Sequence, residues 1–76
     1  TEVEYRTSRG RVDLVLKTSN YIYVMEFKLN GTAEEAMQQI EEKGYASAFA
    51  SDSRKVIKVG VNFSDETRSI ERWIVA

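Results

Sequence analysis

Cysteine and histidine are both absent from this sequence of 76 residues. Without them the chain cannot form disulfides, zinc fingers or haem ligation, nor build thiol catalysis or a Ser-His-Asp triad from its own residues. Only oxygen donors remain as protein ligands for a metal ion. Proline is also absent, and with four glycines the sequence has no stretch typical of an interdomain linker.

An excess of charge of one sign and long apolar runs are missing as well. The 11 Lys+Arg and 12 Asp+Glu residues give a net charge of −1, so no global positive field attracts nucleic acid and any such contact must be local. No apolar run approaches the roughly 18 residues of a membrane span, and no segment resembles a secretory signal. We therefore expect a cytosolic protein without a membrane partner.

The composition that remains is that of one small folded domain. Hydrophobic residues make up 42% of the chain and charged residues 30%, a balance far from that of disordered chains. A chain of this length has room for one small core. Because it begins at Thr1 rather than at methionine, we expect residues 1–76 to be a C-terminal domain of a longer protein.

The first half of the chain is predicted to form three strands. Residues 3–6 and 11–17 are β-rich and are joined by a loop in which Gly10 can adopt the positive φ of a short hairpin. A second polar turn at residues 18–20 precedes residues 21–29, which are rich in β-branched and aromatic side chains. This third run is the predicted central strand.

A helix and two further strands are predicted to follow. Thr32 and Glu35 form a capping box, and the helix that it opens is expected to run to about Phe49. Residues 56–63 then return as a buried strand in a β-α-β crossover, and residues 70–75 alternate as an antiparallel edge strand. The predicted fold is α+β, with a mixed sheet of about five strands in the order β-β-β-α-β-β and one helix packed on a face.

Charged residues within the predicted strands are the candidates for chemistry. Strand interiors are depleted in acids, yet Asp13 lies between Val12 and Leu14, and Glu26 and Lys28 flank Phe27. The period of two places Glu26 and Lys28 on one face. Centring the intervening loop on Ser19 pairs Glu26 with position 12, so Asp13 is expected within one residue of Glu26.

Two neighbouring carboxylates raise each other's pKa unless a cation lies between them. Mg²⁺ prefers one or two carboxylates together with waters and phosphate oxygens, as such a pair provides. Lys28 could then orient a water or stabilise a charged transition state. The alternative from the residues alone is a solvated Asp13 and a same-face ion pair of Glu26 with Lys28, which contributes about 0 to 1 kcal/mol.

Three features in this order resemble the PD-(D/E)XK nuclease superfamily. They are residues 10–16 (GRVDLVL), residues 24–28 (VMEFK) and a helix with Gln39-Ile40 and Tyr45. More narrowly, they resemble the C-terminal nuclease-like domain attached to AAA-ATPase-like proteins of Bacteroides and related bacteria. The resemblance covers nearly the whole chain and implies a restriction-endonuclease-like core that lacks its N-terminal helix.

The resemblance implies a role for each matching residue. Asp13 and Glu26 would be metal ligands for Mg or Mn, the carbonyl of Phe27 a further ligand, and Lys28 the catalytic lysine. Gln39 would be an accessory catalytic residue near the nucleophile or phosphate. Tyr45 follows Gln39 at a longer spacing than the Gln-x-x-x-Tyr pattern of RecB-like nucleases.

Two classes of function follow from these observations. The first is a bacterial Mg-dependent nuclease, a hydrolase of phosphodiester bonds with DNA as the expected partner; without its N-terminal helix the isolated chain is expected to have weak activity or none. The second is a catalytically inactive interaction domain that serves an ATPase-like domain of the same full-length chain or a second copy in a homo-oligomer.

Overall fold

Strands account for most of the chain in the computed structural model, which describes residues 2–8 and 11–76. The predicted turn at Gly10 lies outside the described residues. In chain order the elements are β1 (Glu2–Ser8), β2 (Arg11–Lys17), β3 (Tyr21–Leu29), α1 (Ala33–Glu42), α2 (Tyr45–Ala48), β4 (Lys55–Ser64) and β5 (Ser69–Val75).

The strands form one mixed sheet in the order β1-β2-β3-β4-β5. All neighbouring pairs are antiparallel except β3 and β4, which are parallel and are separated in sequence by the helices. A parallel pair requires a crossover connection, and the helical segment provides it. The predicted α+β class and strand order are confirmed.

The turn between β2 and β3 determines the register of the central strands. Thr18 and Tyr21 are joined by a hydrogen bond from the Thr18 backbone N–H to the Tyr21 carbonyl, at 2.8 Å. The loop therefore contains two residues, Ser19 and Asn20, rather than being centred on Ser19. As a result Glu26 lies opposite Asp13 itself, one position away from the predicted pairing with position 12.

Helix α1 begins as predicted but ends earlier. The Thr32 hydroxyl accepts a hydrogen bond from the Glu35 N–H at 3.0 Å, which is the N-cap bond of a capping box, and donates one to the Glu35 carboxylate at 3.1 Å. The expectation of one helix to Phe49 is wrong, because Gly44 adopts a left-handed conformation with φ of 68° and separates α1 from α2. No helix within the described residues is both long and apolar enough to cross a membrane.

The core lies between α1 and one face of the sheet. Ile22 and Val24 of β3 and Ile40 of α1 are almost completely buried there. Helix α1 approaches the sheet closely at Gly60, where an added Cβ would lie 2.8 Å from the Ala33 carbonyl oxygen. This contact leaves no room for a side chain at Gly60 and holds α1 against the centre of the sheet.

The opposite face of the sheet has no helix packed on it among the described residues. Side chains alternate between the two faces along each strand, so the neighbours of Ile22 and Val24 in β3 point away from α1. The strand pairing carries this face across the sheet, past the register shift between Asn62 and Phe63 in β4. Eight large apolar side chains on it are between 37% and 70% exposed: Val3, Tyr5, Val12, Tyr21, Leu29, Ile70, Trp73 and Val75. This set is called the open face below.

Candidate functional site

The two acids predicted as metal ligands lie side by side on the face that α1 covers. Asp13 of β2 and Glu26 of β3 are direct cross-strand partners, and alternation along β3 places Glu26 with the buried Ile22 and Val24. Glu26 is only 1% exposed and the Asp13 side chain 15% exposed. The strand pairing thus brings both carboxylates into a largely water-excluded space.

A lysine that the sequence analysis did not select lies between the two carboxylates. Lys43 is the C-cap residue of α1, and its ammonium Nζ lies 2.5 Å from Asp13 Oδ2 and 2.7 Å from Glu26 Oε1. Its side chain is 27% exposed. The end of α1 therefore supplies one positive charge to a pair of acids on adjacent strands.

Burial and mutual contact separate the pKa values of the two acids. Burial raises the pKa of the Glu26 carboxyl, and the neighbouring carboxyl of Asp13 raises it further. Burial also acts to raise the pKa of Asp13, but its contacts with Glu26 and Lys43 outweigh burial and hold that pKa below its usual value. Glu26 is accordingly the acid of the pair that takes up a proton more readily.

The ammonium group of Lys43 keeps its charge in this environment. Burial acts to lower the pKa of Lys43, but hydrogen bonds with Asp13 and Glu26 raise it above its usual value. One positive charge thus faces two carboxyl groups, which carry two negative charges when both are ionised. Lys43 alone leaves such a pair only half neutralised.

Two carboxylate oxygens at the centre are left without a partner. Asp13 Oδ1 and Glu26 Oε2 are buried and have no hydrogen-bond partner among the described residues. Unpaired buried oxygens are costly and need an explanation. They suit a hard divalent cation, since Mg²⁺ is commonly bound by one or two carboxylates with the remaining positions filled by water and phosphate.

The carboxylate pair is a small donor set. No group of three or more acidic, cysteine or histidine residues that could hold a metal ion is found in the described part of the chain. A cation at Asp13 and Glu26 would therefore complete its coordination with water, substrate or a backbone carbonyl. Phe27, whose carbonyl was predicted as such a ligand, is the residue after Glu26 in β3, and that role stays a prediction.

Lys28 lies one position further along the same face as Glu26. Its cross-strand partner is Arg11, so this pair of cations follows directly on the Asp13–Glu26 pair. The aliphatic part of Lys28 passes over Gly31, where an added Cβ would come within 2.5 Å of Lys28 Cε. Lys28 has no ion pair with the carboxylates of the described residues, and its predicted catalytic role stays a prediction.

Gln39 is connected to the site through Arg11. A guanidinium N–H of Arg11 donates to Gln39 Oε1 at 2.7 Å, across the space between β2 and α1. The positive charge of Arg11 also contributes to the lowered pKa of Asp13. Gln39 thus holds a cation beside the carboxylates rather than contacting them, and its predicted accessory role stays a prediction.

A cavity of about 370 Å³ opens beside Asp13 and Lys43. It gives the carboxylate centre a path to solvent along the β1 edge of the sheet. Arg6, the cross-strand partner of Asp13 on β1, contributes a positive charge to its wall. The remaining lining residues are Glu4, Tyr5, Val15, Tyr45 and Phe49.

Lys43 could have been found from its spacing to Gln39. The two residues are four positions apart in α1, which places them on one side of the helix, one turn apart. Since Gln39 had been assigned to the site, the same helix face also brings the residue one turn later towards it. The helix was instead predicted to continue to about Phe49, so its end at Lys43 was not foreseen.

Comparisons with known proteins identify the family of the chain. The chain is 33% identical over 75 residues to a protein of Azotobacter chroococcum mcd 1, described as the uncharacterized protein in the vnfD 5' region. That alignment covers 96% of the chain and 14% of the relative. No solved structure gave a significant match. Residues 1–73 match the profile of the PD-(D/E)XK nuclease superfamily, and the chain therefore belongs to that superfamily.

Proposed function

We propose that this domain is a nuclease that hydrolyses phosphodiester bonds with Mg²⁺ or Mn²⁺ bound at Asp13 and Glu26. The observation that carries the proposal is the direct pairing of these acids, each with a buried oxygen that lacks a partner. Superfamily membership supports the same chemistry. A divalent cation at this position supplies Lewis acidity and screens the charge of the scissile phosphate.

The proposed roles of the other residues follow from their positions. Lys28 lies beside the carboxylates on the same face and stabilises the negative charge that develops on the phosphate when water attacks phosphorus and the ester oxygen departs. Arg11, held by Gln39, lies opposite Lys28. These cations provide a local positive surface for a polyanion in a chain whose net charge is −1.

DNA is the proposed substrate, and an ATPase-like domain in the same full-length chain is the proposed partner. Both come from the resemblance of nearly the whole chain to the nuclease-like domains attached to AAA-ATPase-like proteins. Since the matched part is only 14% of the Azotobacter relative, an additional domain is compatible with the size of such proteins. The carboxylate centre would then perform the cleavage step within a larger assembly.

Metal titration is the direct test of the site. We expect Mn²⁺ to bind the chain in isothermal titration calorimetry, and Asp13→Asn or Glu26→Gln to weaken that binding at least about tenfold, because each removes one charged ligand. Glu66→Gln is the matched control, since Glu66 is exposed in the β4–β5 turn. Equal Mn²⁺ affinity in all four proteins would overturn the proposed site.

Cleavage of plasmid DNA tests the reaction itself. Lys28→Met should abolish the Mg²⁺-dependent nicking of plasmid DNA by the chain, because it removes the positive charge next to the carboxylates. The same variant should bind Mn²⁺ with an affinity within about threefold of the wild-type value. Nicking that persists unchanged in Lys28→Met and in Glu26→Gln would exclude this centre as its source.

The open face favours a second candidate function, that of an interaction domain. Exposed apolar patches on this scale mark protein interfaces in soluble proteins, and Tyr5 and Trp73 on this face are 70% and 62% exposed. In such a domain Lys43 would be a permanent counter-ion of the carboxylates. Absence of metal binding in the wild type and in all site variants would favour this function over the nuclease.

A further inference from the structure

The Lys43 ammonium occupies the position that links the two carboxylates. Its Nζ contacts one oxygen of Asp13 and one of Glu26, at 2.5 and 2.7 Å. A cation held by these same two oxygens, Asp13 Oδ2 and Glu26 Oε1, would take the position of the ammonium. A cation held by the two unpaired oxygens, Asp13 Oδ1 and Glu26 Oε2, would share both carboxylates with the ammonium and be repelled by its charge. The ammonium and a divalent ion shared by both carboxylates therefore compete, by volume in the first case and by charge in the second.

The contacts of Lys43 are incomplete as a permanent counter-ion. Asp13 Oδ1 and Glu26 Oε2 keep no partner while the ammonium is bound, and Glu26 is 1% exposed, so bulk water does not reach it readily. A structural ion triad is usually stabilising only when such remaining oxygens are also hydrogen-bonded. The ammonium thus neutralises the two carboxylates only in part, and they attract a divalent cation more strongly than a monovalent one.

Lys43 is also placed where it can leave without unfolding the domain. It is the C-cap residue of α1 and precedes Gly44, whose left-handed conformation ends the helix. Its side chain is 27% exposed and lines the cavity of about 370 Å³ beside Asp13. Rotation of a lysine side chain into this space breaks two ion pairs but no helix or sheet hydrogen bond.

We propose that Lys43 is a built-in competitor of the metal ion, an inference that rests on the proposed function of the carboxylate pair. In the metal-free protein its ammonium holds Asp13 and Glu26 together. Loading of a divalent cation displaces the ammonium into the neighbouring cavity, where a phosphate of the substrate can attract it. Because of this competition, the metal ion binds less tightly than it would bind to the same two carboxylates without Lys43. Metal binding is also coupled to the arrival of the polyanionic substrate.

Titration of Mn²⁺ into the wild type and three variants tests the competition. Lys43→Met should bind Mn²⁺ on the order of tenfold more tightly than the wild type, because the cation no longer displaces an ammonium. Lys43→Arg retains the positive charge and should bind no more tightly than the wild type. Lys58→Met is the matched control: Lys58 pairs with Glu41 of α1 outside the site, and its loss should leave the affinity unchanged.

A measurement on the unaltered chain covers the case in which Lys43→Met fails to fold. The ¹³Cε resonance of Lys43, followed by NMR during Mg²⁺ titration, should move towards that of the exposed Lys55 as the metal binds. A Lys43 resonance that does not change at saturating Mg²⁺ would overturn the proposal.

The outcomes separate this inference from the proposed function. If Mn²⁺ binding requires Asp13 and Glu26 but Lys43→Met binds no more tightly than the wild type, the competition is wrong and the metal site stands. If neither the wild type nor Lys43→Met binds Mn²⁺ at these carboxylates, both proposals are overturned. Binding that is measurable only in Lys43→Met, and is lost again when Glu26→Gln is added, supports both.

Discussion

The two faces of the sheet reverse the usual relation between polarity and burial. On the face under α1, the carboxylate of Glu26 is 1% exposed, whereas on the open face the large rings of Tyr5 and Trp73 are 70% and 62% exposed. Burial in this small domain is therefore decided by where its main helix lies, and not by the side chains alone. The covered face contains both the core and the chemistry.

The difference also shows what a buried charge requires. Glu26 is tolerated under α1 because the same helix brings Lys43 to within hydrogen-bond distance, and because a raised pKa lets the acid take up a proton. The open face has no comparable constraint, since water contacts its side chains directly. Substitutions on the two faces should accordingly have very different consequences.

The largest expected effect comes from truncating matched isoleucines on the two faces. Ile40→Ala under α1, where the residue is 1% exposed, should lower the free energy of unfolding by about 3 kcal/mol. Ile70→Ala on the open face, where the residue is 52% exposed, should cost less than about 1 kcal/mol. Urea denaturation of both variants measures the difference, and equal losses would mean that the open face is buried in solution.

Loss of the central cation should have the next largest effect. Lys43→Met leaves two carboxylates without their counter-ion and should destabilise the metal-free domain by about 2 kcal/mol at neutral pH. Adding Glu26→Gln to Lys43→Met should restore part of the lost free energy of unfolding, because it removes one buried negative charge. Lys58→Met, which breaks a pair with the 57% exposed Glu41, should cost less than about 1 kcal/mol. A loss in Lys43→Met no larger than this control would contradict the electrostatic account.

The smallest effect is the pH dependence of stability on the covered face. The pKa of Glu26 is raised above 4.5 in the folded state, so its contribution to stability is present below pH 4.5 and is lost as the pH rises through the raised value. The pKa of Asp13 is lowered below 3.8, so its contribution is present above pH 3.8 and is lost as the pH falls through the lowered value.

A difference curve isolates the contribution of Glu26. Stability of the wild type minus that of Glu26→Gln, measured by urea denaturation from pH 3 to 8, should decline as the pH rises above 4.5. The stability of the wild type minus that of Glu66→Gln should not change with pH over this range, since Glu66 is exposed. A wild-type curve that rises with pH in this window relative to Glu26→Gln would show that the pKa of Glu26 is lowered instead.

Much of the fold could be predicted from the sequence because it depends on local patterns. Alternation and β-branched composition located β3, and the Thr32–Glu35 capping box located the start of α1. The pairing of Asp13 with Glu26 was predicted to within one residue, and the remaining error came from the turn. A two-residue loop at Ser19 and Asn20 and a loop centred on Ser19 differ by one position in register, and composition does not distinguish them.

The parts that could not be predicted depend on contacts between distant segments. Lys43 reaches Asp13 across 30 positions of sequence, and its role requires that α1 end at that residue. The left-handed conformation of Gly44 produces that end, whereas the helix was predicted to continue to about Phe49. A glycine within a helical sequence does not by itself show that the helix ends there, so the predicted helix was too long and Lys43 was not selected.

The sequence by itself determined the strand order, the helix start and the presence of two acids on adjacent strands, because alternation, capping and turn composition act over a few residues. The tertiary structure decided that Lys43 faces those acids and that only one side of the sheet is covered. Both results depend on how α1 lies across the sheet, and that placement is determined by packing between residues far apart in the chain.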